Sequence, residues 1–372
     1  MSRFYFTEIL VLNFQSRARL SIIACLLLTF SLVACQASST STPTPSLKPT
    51  ESGVTQIPTA PVTSIPPGVQ NTPTATPIPL GKTGNPLIIS FVSVKLDTQA
   101  KTNAASIAKQ LTTLTGYEIE SELSPSYDWT LKGMRDGLVH MAWLPPLTYL
   151  YASQQGFASV ALLTDNFGVY LYNTQFLANT TSGYRSYFDI SRNQSTADAK
   201  ISLSQFKDKT PCWVDPGSVS GYLVPIGVMK LNNISPANGI YLYNQPAIVR
   251  ALYIKGICDF GVTYAGSGDP RTAKAVQQDL TDALDKVPVI WMSDPIIPNL
   301  NFSFYPGISP EMQKKIIQSL LVYSKSDEGK LALTVANGYE IQDLKVFSDS
   351  IYDPLRKIMD ATGVDLQTMI GK

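Results

Sequence analysis

The sequence is almost without histidine. His140 is the single one in 372 residues, which excludes a multi-histidine metal centre and leaves a serine–histidine–acid mechanism one possible base. Charge bias is missing as well. Lys and Arg number 29, Asp and Glu 28, for a net charge of +1, whereas a nucleic-acid binder needs a basic footprint. Cysteine is scarce, and Cys25, Cys35, Cys212 and Cys258 are too few for a disulfide scaffold. What is present is apolar mass, 44% hydrophobic residues against 15% charged. A chain of this length and composition buries a core and divides naturally into two lobes.

Near the start, Arg17 and Arg19 precede an apolar run from Leu20 to Val33. The run is short for a membrane span and has the shape of a secretory signal. It closes on Leu32-Val33-Ala34-Cys35, which resembles the lipobox of bacterial lipoproteins. That resemblance implies that 1–34 is a signal peptide and that Cys35 carries lipid. Residues 38–80 then hold 26 Ser, Thr or Pro among 43, ten of them proline. Such a stretch buries too little apolar surface to order itself. Residues 35–82 are therefore expected to tether a folded body to the outer face of the membrane.

The body alternates strand and helix signals, the pattern of an α/β protein with mostly parallel sheets. Pro86–Val94, with the apolar run Leu87–Val92, reads as a buried strand, and Ala104, Ile107, Ala108, Leu111 and Leu114 recur at helical spacing until Gly116 stops them. Helices are expected over Tyr127–Asp136 and Pro146–Gln155, with a strand over Leu138–Trp143 between them. Residues 189–200 are polar without periodicity and read as a surface insertion. A second strand–helix series starts at Pro211, with helices over Ser220–Leu231 and Arg271–Ala283. Extended crossovers near 168–176 and 286–305 divide the body. Lobe 1 takes 83–172 and 295–372, and lobe 2 takes 173–294.

The most informative stretch is Asp215-Pro216-Gly217-Ser218-Val219-Ser220-Gly221-Tyr222-Leu223-Val224-Pro225. It follows a strand and opens a helix. Gly and Ser at that junction leave amides pointing into open space, and a helix N-terminus carries partial positive charge, so the place suits an anion. The plain alternative is Ser and Gly capping of an ordinary helix. It is neither a nucleophile elbow, since Val219 stands at its centre, nor a P-loop, since no Gly-Lys-Ser/Thr follows.

This stretch resembles the Asp-Pro-x-Ser-Thr-Ser-Gly-Tyr-Leu-x-Pro signature of phosphonate/phosphite ABC-transporter substrate-binding proteins. Gly137-Leu138-Val139-His140-Met141-Ala142-Trp143-Leu144-Pro145-Pro146-Leu147-Thr148-Tyr149 is similar to that family's Gly-x-Val-Asp-x-Ala-Trp-x-Gly-Pro-x-Ser-Tyr. Val289–Pro298, Ser326–Lys330 and Tyr352–Arg356 are similar to its return crossover and C-terminal helices. The resemblance implies a two-lobe type 2 periplasmic-binding-protein (Venus-flytrap) fold with two crossover strands at the hinge. It also implies that a small tetrahedral oxyanion (phosphonate, phosphite or phosphate ester) is captured between the lobes and delivered to ABC permease subunits. No catalysis, cofactor, metal or nucleic acid is involved, and the protein is expected to act as a lipid-anchored monomer.

The ligand residues so implied are Ser218, Val219, Ser220 and Gly221 in lobe 2, and Tyr127, Thr148 and Tyr149 in lobe 1. Val219 replaces the family's Thr. The family's ligand histidine should fall near Asn244–Pro246, where Asn244 or Gln245 could act as a neutral donor. The carboxylate that aminophosphonate binders place near Leu300 is missing, which disfavours an aminoalkyl ligand. His140 reads as a core or sheet-edge residue, and Asp259 as a brace for a strand end. Cys212 and Cys258 lie on strands expected to be neighbours and form either a disulfide or two buried thiols. The departures leave open a second use of the same fold, binding an unrelated small molecule or serving as input to a signalling partner.

Overall fold

The computed structural model describes residues 77–93 and 97–370. The expected signal peptide 1–34, lipid-bearing Cys35 and most of the tether 35–82 lie outside them. The last tether residues belong to the body, since Leu80 packs on the core and Lys82 bridges to Asn85.

The chain opens with β1 (Leu87–Val92) and α1 (Thr98–Thr115). The Asp97 carboxylate caps α1 by accepting from the Gln99 amide at 3.0 Å, and Gly116 at φ 74° ends it. One stripe of α1, including Ala104, Ile107 and Leu111, is buried. β2 (Ile119–Ser124) and β3 (Met141–Leu144) flank β1, both parallel to it, with α2 (Tyr127–Arg135) between them in sequence. α3 (Pro146–Gln154) and β4 (Ser159–Asp165) complete this first pass through lobe 1.

After a tight turn the chain crosses as β5 (Leu171–Leu177). Lobe 2 follows as β6 (Phe188–Asp189), β7 (Gln194–Ser195), α4 (Ala199–Leu203) and β8 (Pro211–Trp213), then a π-helical turn (Val219–Leu223) running into α5 (Val224–Leu231). β9 (Ile240–Tyr241), α6 (Gln245–Ile254), β10 (Phe260–Ala265), α7 (Lys274–Gln277), α8 (Ala283–Lys286) and β11 (Val289–Met292) come next. The return passes through β12 (Ile297–Pro298), which pairs with β5, into β13 (Asn301–Phe304). α9 (Pro310–Tyr323), α10 (Asp327–Asn337), β14 (Asp343–Val346) and α11 (Asp353–Thr362) close the chain.

The first sheet runs β14-β4-β13-β3-β1-β2 and the second β11-β5-β10-β8-β9. Neither is mostly parallel as expected. β13 is antiparallel to β3 and β4, β14 to β4, and β5 to β10 and β11. The strands that reverse are mainly those reached by crossing between lobes or by returning to the first one. Only the βαβ-connected strands keep the parallel sense.

Three local expectations are corrected. The helix read over Arg271–Ala283 is two short pieces, because buried Val276 and Ala283 are seven apart and mimic one helical face across a turn. The polar insertion is a hairpin, β6–β7, fastened to β11 where Ser195 Oγ donates to the Met292 carbonyl at 2.8 Å. The C-terminal segment does not sit in lobe 1 alone. α11 packs on α5, where an added Cβ on Gly227 would lie 2.5 Å from Ile358 Cγ2, and Lys230 Nζ donates to the Thr362 carbonyl at 2.8 Å. On its other side Tyr352 meets Tyr149 at 4.4 Å between ring centres.

The cores follow this layout. Ile89, Phe91, Ile107, Leu111, Phe302, Phe304 and Leu333 fill one face of the first sheet. A second cluster runs from Leu144 and Leu150 through Tyr352 and Leu355 to Phe176, Phe206 and Phe260 in lobe 2. Each such residue fully buried contributes about 1.5–3 kcal/mol relative to exposure.

Candidate functional site

A cavity of about 350 Å³ lies between the lobes. Three helical N-termini reach it. From α2 come Ser126 and Tyr127, from α3 Pro145 to Thr148, and from the turn after β8 come Gly217 and Val219.

Each terminus is built to leave amides open. Ser126 Oγ accepts from the Trp129 amide at 3.2 Å, and the amides of Tyr127 and Asp128 have no acceptor among the described residues. α3 begins Pro145-Pro146, so its cap has no side-chain acceptor and its first turn has no amide at Pro146. The Leu147 and Thr148 amides are left without acceptors among the described residues.

In the lobe 2 turn, Asp215 Oδ1 accepts from the Gly217 amide at 2.9 Å and the Asp215 carbonyl from the Ser218 amide at 3.1 Å. Ser218 Oγ accepts from the Gly221 amide at 3.1 Å. The amides of Val219 and Ser220 and the Ser220 hydroxyl have no partner among the described residues. The sequence reading missed that this helix starts as a π turn, in which the Leu223 amide donates five residues back to the Ser218 carbonyl at 2.9 Å. Gly221 permits it, because a Cβ there would lie 2.3 Å from Val214 Cγ2.

Among the described residues no charged side chain lines the cavity. Its positive character comes from the helix termini, which favour an anion through open amides and the aligned peptide dipoles. Burial pushes the Tyr127 hydroxyl up to about 12, so it stays a protonated donor across the physiological range. His140 is buried directly before β3, where its Nδ1 accepts from the Ile88 amide at 3.0 Å, and burial lowers its pKa.

The structure thus brings Tyr127, Thr148 and Val219 onto the cavity, with Ser218, Ser220 and Gly221 in the adjoining turn. Other expected residues are elsewhere. Tyr149 points into the core, donating to Asp349 and accepting from the Val160 amide at 3.3 Å. Burial and the Asp349 bond raise its pKa. Burial raises the Asp349 carboxyl, but Arg356 and the Tyr149 hydroxyl outweigh it and hold it below its ordinary value. Asn244 caps α6 by accepting from the Ala247 amide, and Gln245 Oε1 accepts from the Tyr264 amide at 3.3 Å. Both have structural work and neither lines the cavity. Asp259 Oδ2 accepts from the Thr210 amide at 2.8 Å, and a disulfide joins Cys212 on β8 to Cys258 with Cα atoms 5.6 Å apart.

Residues the sequence did not single out also line the cavity, notably Val92, Ser126, Leu147 and Met369. Ser126 carried a signal, a cap residue directly before Tyr127. Met369, in the final 3-10 turn (Leu366–Met369), carried none.

A family model described as ABC transporter, phosphonate, periplasmic substrate-binding protein matches residues 89–352. The chain is 25% identical over 307 residues to the phosphate-import protein PhnD of Mycolicibacterium smegmatis, covering 75% of this chain and 87% of that protein. It is 26% identical over 219 residues to the phosphonates-binding periplasmic protein of Escherichia coli, covering 59% of this chain and 60% of that one. In fold it is similar to XAC2383 from Xanthomonas citri bound to chloride ion, with a TM-score of 0.54, 15% identity, and coverage of 76% of this chain and 98% of that one.

Proposed function

Because this chain belongs to the family of periplasmic substrate-binding proteins of phosphonate ABC transporters, we propose that the cavity between its lobes holds the oxyanion head of the ligand. The family places the protein outside the cytoplasm as the substrate-binding component of an importer, not an enzyme. The observation that carries the site assignment is the convergence of open amides from α2, α3 and the turn after β8 on one cavity. The Val219 and Ser220 amides and the Ser220 hydroxyl hold the head from lobe 2. Thr148, Tyr127 and the open amides of α2 and α3 close on it from lobe 1. Ligand bridging both lobes binds the closed arrangement better than the open one and shifts the population toward it, the state offered to the permease.

On this reading the protein works as a monomer tethered through lipid on Cys35, with the span after it as leash. Cys35→Ala should abolish incorporation of labelled fatty acid into the protein, and labelling that persists in the variant would remove the lipid assignment. Calorimetry of the full chain with methylphosphonate, phosphite and inorganic phosphate tests the site. Saturable binding of at least one, weakened by Ser220→Ala, supports the proposal. The absence of binding to every tetrahedral anion tried removes it.

A further inference from the structure

An inorganic anion would use only part of this cavity. The volume of about 350 Å³ falls at the lower end of the range for small organic ligands. The donors are amides and hydroxyls at three turns, while Val92, Pro125, Pro145, Leu147, Val219 and Met369 present carbon. No acid lines the cavity among the described residues. An ammonium group enclosed here would lose its hydration without a counter-charge.

Met369 closes one side. The turn that bears it follows α11, whose end is set by Gly363 at φ 69°, and Asp365 caps it by accepting from the Gln367 amide at 3.0 Å. The same Met369 also lines a neighbouring groove of about 750 Å³ whose wall includes Trp213, Pro216, Tyr222 and Tyr241. The rings of Trp213 and Tyr222 meet edge to face at 5.5 Å, as do those of Tyr222 and Tyr241. An unbranched, flexible thioether is thus shared by the head cavity and an aromatic groove.

We propose that the ligand is an organophosphonate, or the matching phosphate monoester, whose substituent is uncharged and apolar, and that Met369 is a specificity-determining residue limiting the length of that substituent. This rests on the head assignment made above and adds the chemistry of the rest of the molecule. An apolar substituent gains by leaving water, about fourfold in affinity per methylene buried. A chain too long for the cavity must displace Met369 toward the groove, at a cost in affinity that removing its side chain relieves.

The test is calorimetry of the full chain in detergent with methyl-, propyl-, hexyl- and 2-aminoethylphosphonate. Propylphosphonate is expected to bind at least tenfold tighter than methylphosphonate, and at least tenfold tighter than 2-aminoethylphosphonate of the same length. In Met369→Ala the ratio of hexyl to propyl affinity should rise at least fivefold, and Met369→Leu, of similar bulk, should restore the wild-type ratio. Equal affinities for methyl and propyl, or tighter binding of the aminoethyl compound, overturn the substituent assignment while leaving the head assignment intact. An unchanged hexyl-to-propyl ratio in a folded Met369→Ala, checked by thermal unfolding, overturns the role of Met369. Failure of all four compounds where phosphite or inorganic phosphate still binds overturns the substituent assignment alone, and failure of those two anions as well overturns the head assignment.

Discussion

Thr174 Oγ1, on the crossover strand β5, donates to the carbonyl of Ser220 at 2.7 Å. The strand that carries the chain between lobes is thereby fastened to the turn that offers open amides to the cavity. Both residues are buried, so the bond is shielded from water. Thr174→Val removes the donor and leaves a buried carbonyl short of a partner. The expected cost is about 1–2 kcal/mol of stability, read by denaturant unfolding, with a several-fold loss of oxyanion affinity by calorimetry.

Gly221 gives a steric prediction. Its position allows no Cβ, since one would lie 2.3 Å from Val214 Cγ2 and 2.7 Å from Ser218 Oγ. Gly221→Ala should destabilise the protein by about 1–3 kcal/mol, the usual penalty for overpacking, and weaken the anion at least tenfold by displacing the Val219 and Ser220 amides. Adding Val214→Ala should recover part of the stability.

Two tyrosines, both expected from sequence at the ligand, should now separate. Tyr127 lines the cavity with a protonated hydroxyl, so Tyr127→Phe should weaken oxyanion binding by about 1.5–3 kcal/mol, the worth of one hydrogen bond to a charged group. Tyr149 spends its hydroxyl on Asp349 and the Val160 amide. Tyr149→Phe should lower the melting temperature and leave affinity within twofold. A reversed pattern in calorimetry and thermal unfolding would exchange their roles.

His140 sets a pH dependence of stability. Its imidazole is buried, accepts a hydrogen bond from the Ile88 amide, and has its pKa lowered by burial. Below the ordinary histidine value of about 6.5 the unfolded chain takes up a proton that the folded chain refuses. Stability is therefore full above that value and falls as pH drops toward the lower native pKa, with a slope of at most about 1.4 kcal/mol per pH unit. Unfolding measured from pH 7.5 to 5 should show this segment in wild type and lose it in His140→Asn. Asp343 and Asp349, whose pKa values are also lowered, titrate in a separate, more acidic window.

The two-lobe plan was legible because strand and helix periods alternate cleanly and because the Asp215–Pro225 stretch marks a strand–turn–helix junction. The strand sense was not, since an apolar run such as Asn301–Phe304 reads the same in either direction. The π turn was hidden as well. Ser220 to Leu231 reads as one helix, and only the close approach of Gly221 to Val214 in the structure marks the place where the widened first turn needs a glycine. Tyr149 was expected at the ligand from the resemblance of its Pro-Leu-Thr-Tyr motif, whereas in the structure its neighbour Thr148 lines the cavity. Adjacent helical residues point about 100° apart, so one can face a cavity while the next faces the core. Met369 depended on a tertiary contact with no local pattern to announce it.

The C-terminal helix has a mechanical consequence. It leans on α5 through Gly227 and Lys230 and on α3 through Tyr352, and Arg356 Nη2 approaches Ser153 Oγ at 3.4 Å. Parting of the lobes would separate α11 from one of these two partners, so the contacts broken on that side would add to the cost of opening. A strut that spans both lobes in this way would make the empty receptor's opening depend on its grip as well as on the hinge.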